Sequence, residues 1–210
     1  MDGLVSNIGL IAGVAAAGAS AGIVLITGLS GLIAGAISMA LGEFTSVRTQ
    51  NEQLAREVRT ERDALRRNPH GEQAELAVMF TELGMSRETA RDAASQVHVD
   101  HERALRVHLA HELGLSPDER PSPVVAAFSS LAAFAVGAAI PLIPFLFGFG
   151  DLWWGLGFGG VGLLLAGFLA ARFTERNPFA GAARQLLFGG VAVAVTYGIG
   201  TLLGVSQIGA

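Results

Sequence analysis

Two carboxylates, Asp2 and Glu43, stand in or at the edge of long apolar stretches. An ionisable group in such a setting is costly and by default marks a functional site. Asp2 lies one helical turn before Ser6, with Asn7 beside it, and Met39 lies one turn before Glu43. A thioether and a carboxylate therefore share a helix face. Oxygen ligands with one soft sulfur suit a borderline cation such as iron(II) better than calcium or magnesium. The competing explanation makes Glu43 an interfacial residue and Met39 ordinary packing.

A second set falls in a charged stretch. Glu72 and Glu75 are i, i+3 neighbours, and Glu61 precedes them on what reads as a long helix. His101, His108 and Glu112 fall at i, i+7 and i+11, one helical stripe, with His111 adjacent. Converging carboxylates and imidazoles could hold a divalent metal and would release protons as it binds. A charge run on amphipathic helices is equally a solvated face, and spacing alone does not choose. The chain has no cysteine, which removes disulfides, iron–sulfur clusters and thiolate sites. It has no HExxH, no phosphate-binding glycine loop and no GxSxG, so no enzyme chemistry is indicated.

The elements that carry these residues follow from composition. Hydrophobic residues make up 51% of the chain and charged residues 15%, against about a quarter charged in a soluble domain. All charged residues but Asp2, Glu43, Asp151, Arg172, Glu175, Arg176 and Arg184 lie between Arg48 and Arg120. Apolar, polar, apolar is the pattern of a membrane protein with one soluble insertion. The expected fold is all-α: five transmembrane helices, with a cytoplasmic three-helix insertion following an extended second helix. Residues 1–47 would hold spans one and two, 48–120 the cytoplasmic helical domain that binds metal, and 121–210 spans three to five.

Local signals place the boundaries. Gly18–Gly22 reads as the turn between the first two spans, and Pro69 makes Asn68 a stop for the second helix. Helices are expected over 72–83, burying Leu76, Phe80 and Leu83, and from a Ser86 cap to about Val97, burying Ala90, Ala94 and Val97. A third is expected from an Asp100 cap through His101 to Leu113. The later spans read as Val124–Phe147, interrupted by Pro141 and Pro144, then Leu152–Ala171 and Leu186–Leu203. Asp2 to Ala17 gives only about 24 Å of helix against a hydrocarbon core of about 30 Å, so native sequence is expected upstream of Met1.

All 14 basic residues are arginine, eleven of them in the middle section and three between spans four and five. The positive-inside rule puts these segments and the N-terminus in the cytoplasm. The arginine-only usage fits a high-GC bacterial source, hence a bacterial inner membrane. A net charge of −4 with scattered arginines gives no case for nucleic acid.

Several segments resemble the vacuolar iron transporter family, including its bacterial members. They are Asp2-Gly-Leu-Val-Ser-Asn7, Ser38 to Gln50, Glu112-Leu-Gly-Leu115, Gly137 to Pro144 and Thr196 to Gly200. The likeness runs in order over essentially the whole chain. It implies a five-span homodimer with the path at the dimer interface, exchanging iron(II) for protons. Asp2 and Met39 match residues that line the membrane path, with Glu43 as a third member. Glu61, Glu72, Glu75 and Glu112 match the glutamates of the cytoplasmic metal-binding domain. Ala64 stands where a further glutamate is expected, and His108 and Leu109 where methionines are expected. Imidazole at His108, with His111 nearby, suits zinc and nickel as well as iron.

These readings give export of iron(II), captured by the acidic domain and released at the outer side as Asp2 and its neighbours take up protons. Small residues of spans one and two would form the seam between copies. No prosthetic group is implied; manganese(II) and zinc(II) are the alternative ions. The rival from another class is a membrane protein that stores or senses metal without transporting it.

Overall fold

The computed structural model describes residues 1–112, 114 and 120–208, leaving aside the side chains of Glu112 and of residues 205–208. Every regular element among them is helical. The chain divides into two units, residues 1–44 with 124–210, and residues 45–123.

The first unit holds α1 (Asp2–Ala16), the N-terminal part of α2 (Ala21–Arg67), α6 (Pro123–Ala139), the short α7 (Ile143–Leu146), α8 (Leu152–Phe173) and α9 (Pro178–Ile208). Four stretches are long and apolar enough to cross a membrane: α2, Pro123–Leu146, α8 and Pro178–Gly204. The 15-residue α1 is apolar but shorter. Gly18, with φ +88°, makes the turn into α2. Pro141 and Pro144 cannot donate backbone hydrogen bonds, and the helix gives way to a 3-10 turn at Ile140–Leu142 before α7.

Close approach sets the packing here. A Cβ at Gly28 would strike Leu142, one at Gly31 would meet Leu10 at 2.5 Å, and one at Gly35 would strike the Phe134 ring. Gly3 abuts the Phe134 carbonyl, while Gly9 and Gly13 lie against Thr196. These glycines of α1 and α2 serve packing within the chain. What α2 leaves exposed in this unit mixes branched apolar residues, Ile23, Ile26, Ile33, Ile37 and Leu41, with the small residues Gly22, Ser30, Ala34, Ser38 and Gly42. The last helix begins at Pro178, eight residues before the apolar run that suggested it. Asn177 Oδ1 caps it, accepting from the Phe179 and Ala180 amides at 3.0 and 3.3 Å.

The second unit contains the C-terminal part of α2 with α3 (Pro69–Glu82), α4 (Arg87–His98) and α5 (His101–Glu112). Asn68 ends α2 and caps α3, accepting from the Gly71 amide at 3.2 Å. Ser86 caps α4 through the Thr89 amide at 3.2 Å. Asp100 caps α5 through the amides of Glu102 and Arg103 at 2.9 and 3.2 Å. These two bonds hold the Asp100 carboxyl below the usual carboxylate range.

One apolar cluster joins Leu54, Val58 and Leu65 of α2 to Ala104, Leu105 and Leu109 of α5. Another joins Leu76, Ala77 and Phe80 of α3 to Ala90 and Ala94 of α4. Leu83 was expected on that face but is 64% exposed. It lies past the end of α3, where Gly84 at φ +98° turns the chain, and Ala77 fills the face instead. The expected end of α5 at Leu113 lies outside the described residues.

A carboxylate–imidazole cluster in the second unit

Each helix of the second unit has a buried stripe, and each stripe carries an ionisable residue. On α2 the inward positions are Val47, Leu54, Val58 and Leu65, and Glu61 falls between the last two at the same three-or-four spacing. On α3, Glu72 stands one turn before Leu76 and two before Phe80. On α5, His108 sits one turn after Ala104 and beside Leu109. On α4, His98 extends the line of Ala90 and Ala94 by one turn. A charge on such a stripe is destabilising unless it is paired or coordinates something.

These side chains meet. One ligand atom each from Glu61, Glu72 and His108 lie within 4.8 Å of one another. His108 is fully buried and Glu61 is 9% exposed, with His108 Nδ1 3.3 Å from Glu61 Oε1. The ring of His98 packs edge-to-face on that of His108, centroids 5.3 Å apart. Arg62 and Glu102, 3.3 Å apart on the outer surface of α2 and α5, tie the same two helices. Two carboxylates and an imidazole can take up a divalent cation, neutralising charge that is otherwise costly at this depth.

The other candidates lie apart from this group. Glu75 is exposed, since it is off the stripe that carries Glu72. His111 is exposed and packs edge-on against Phe80, centroids 6.0 Å apart. His101 is also exposed. The Glu112 side chain lies outside the described residues. Ala64 is half-buried, and Leu109 is a core residue with no exposure. His98 escaped the sequence reading, although extending the Ala90–Ala94 spacing by one turn would have found it.

In the first unit, Asp2, Met39 and Glu43 all reach the surface of the single chain. Ser6 Oγ donates to Asp2 Oδ1 at 3.0 Å. The helices α1 and α2 run antiparallel, with Ile11 beside Gly28 and with Asn7 and Leu10 beside Gly31. That register brings Asp2 to within about a turn of Met39 along α2. Asn7 is buried, donating from Nδ2 to the Ala138 carbonyl at 2.6 Å beside the proline break. Its Oδ1 is buried without a hydrogen-bond partner.

The sequence profile of the VIT family matches residues 1–201. A vacuolar iron transporter of Acanthamoeba castellanii is 36% identical over 196 residues, 89% of this chain and 72% of that protein. Vacuolar iron transporter 1 of Eucalyptus grandis is 29% identical over 205 residues, 94% of this chain and 81% of that protein. Vacuolar iron transporter 1 of Oryza sativa subsp. japonica is 27% identical over 201 residues, 94% and 80% respectively.

Proposed function

Because the chain belongs to the VIT family, we propose that this multi-pass membrane protein transports iron(II), and that the Glu61–Glu72–His108 cluster takes the ion up. The observation that carries the assignment is the convergence of those three side chains from three different helices, within 4.8 Å and with Glu61 and His108 buried.

The finer reading is export from the cytoplasm by proton antiport. In this reading α1 is a fifth span, and the arginine bias supports a cytoplasmic second unit and N-terminus, in a bacterial inner membrane. Ion captured by the second unit passes to Asp2, Met39 and Glu43 of two copies of the chain. Protons from the far side then neutralise the carboxylates and displace the ion. The exposure of all three side chains on the single chain supports a path completed by a second copy.

Anaerobic iron(II) flux into proteoliposomes under a pH gradient tests both steps. Asp2→Ala should abolish pH-driven flux yet leave binding by the second unit intact. Glu61→Gln should weaken binding by roughly tenfold or more, because affinity follows the ligand charge count. Undiminished flux in Asp2→Ala would reject the path. Binding without flux in the unmodified protein would favour storage or sensing. Imidazole at His108 supports a second reading, zinc(II) or manganese(II) as cargo, decided by competition against iron(II).

A further inference from the structure

We infer that His98 is a fourth ligand, completing with Glu61, Glu72 and His108 a two-imidazole, two-carboxylate site for a borderline divalent cation. The inference rests on the cluster reading given above and names its donor set. It starts from the tautomer of His98. Its Nδ1 lies 2.9 Å from the Ala94 carbonyl. A carbonyl only accepts, so Nδ1 carries the proton. In the neutral ring Nε2 is then left with a free lone pair. That nitrogen is buried and has no hydrogen-bond partner. A backbone carbonyl fixing one ring nitrogen so that the other can bind metal is the usual support of a histidine ligand.

The spacing of the rings also fits. Metal–nitrogen bonds of about 2.0–2.1 Å put each imidazole centroid roughly 3.2 Å from the ion. At a tetrahedral angle two such centroids stand about 5.2 Å apart, whereas neighbouring octahedral positions give about 4.5 Å. The observed separation is 5.3 Å. The carboxylate oxygens and the His108 nitrogen, within 4.8 Å of one another, need to draw in by about an ångström. His98 stands outside the group that lies within 4.8 Å, so its Nε2 must also move inward to bind; as the last residue of α4 it lies beyond the Ala90–Ala94 packing.

The test loads the full chain in detergent with zinc(II) alone and counts imidazoles by X-ray absorption at the zinc edge. His98→Phe keeps an aromatic ring against His108 and removes only the donor. The expected counts are two imidazoles in the unmodified protein and one each in His98→Phe and His108→Phe. Zinc affinity in His98→Phe should fall by roughly tenfold or more. A count of one that His98→Phe leaves unchanged would overturn the role of His98 while keeping the cluster. Zinc retained equally by Glu61→Gln and Glu72→Gln would overturn the cluster itself, and the inference with it.

Discussion

The crossing of α8 and α9 is backbone against backbone, and one methyl group tests it. A Cβ at Gly167 would lie 2.5 Å from the Gly181 carbonyl oxygen and 2.9 Å from the Ala182 Cα, whereas ordinary contacts begin near 3.4 Å. Neither neighbour can rotate away, so Gly167→Ala requires the helices to part by about 0.9 Å or to bend. Overpacking of this kind costs about 1–3 kcal/mol. Gly190 on α9 is the control, because a Cβ there meets nothing within 4 Å. There alanine relieves the helix of a glycine and should add about 0.5–1 kcal/mol. That gain is common to both helical sites, so the two variants should differ by about 1–3 kcal/mol, or roughly 2–12 °C in melting temperature for a chain of this size. Thermal unfolding in one detergent, followed by tryptophan fluorescence, reads the difference. Equal melting temperatures, or Gly167→Ala the more stable, would refute the account of the crossing as a steric limit.

Two further outcomes follow from single side chains. Asn7→Leu removes a buried hydrogen bond to the Ala138 carbonyl and should destabilise the first unit by about 1–3 kcal/mol; an unchanged melting temperature would show that the carbonyl finds another donor. The Asp100 carboxyl is held below its ordinary value by the amides of Arg103 and Glu102. Its folded value is the lower one, so its contribution is complete above the ordinary carboxylate value. That contribution is lost as pH falls through the folded value. Helix content followed down to about pH 2–3 should fall further from its neutral value in the unmodified chain than in Asp100→Asn, whose α5 is weaker at neutral pH but less sensitive to acid; parallel acid curves would count against the cap.

What could be read from sequence was whatever local chemistry decides. Ser86 and Asp100 each announce a helix start by supplying an acceptor to free amides, and each does so in the structure; Asn68 was read only as the stop of the second helix, and its cap on α3, which starts at Pro69 rather than at residue 72, was missed. The start of α9 was misplaced because hydropathy was followed where the Asn177–Pro178 cap was the better signal. Glu72 and Glu75 are equivalent as sequence, and only their positions relative to Leu76 and Phe80 separate the half-buried from the exposed. His98 depends on tertiary packing, since its meaning comes from His108 on another helix. The glycines of α1 and α2 were legible as close-approach sites, but sequence does not say which surface approaches.

The bond from Asn7 to Ala138 ties the polar end of α1 to the stretch where α6 gives way at Pro141. In a hydrocarbon setting no water stands by to replace a broken hydrogen bond, and an unsatisfied backbone group costs several kcal/mol. The first helix cannot slide or tilt near Asp2 without dragging the bend along or paying that penalty. The N-terminal turn and the proline joint therefore behave as two arms of one lever, with Asn7 as the pin.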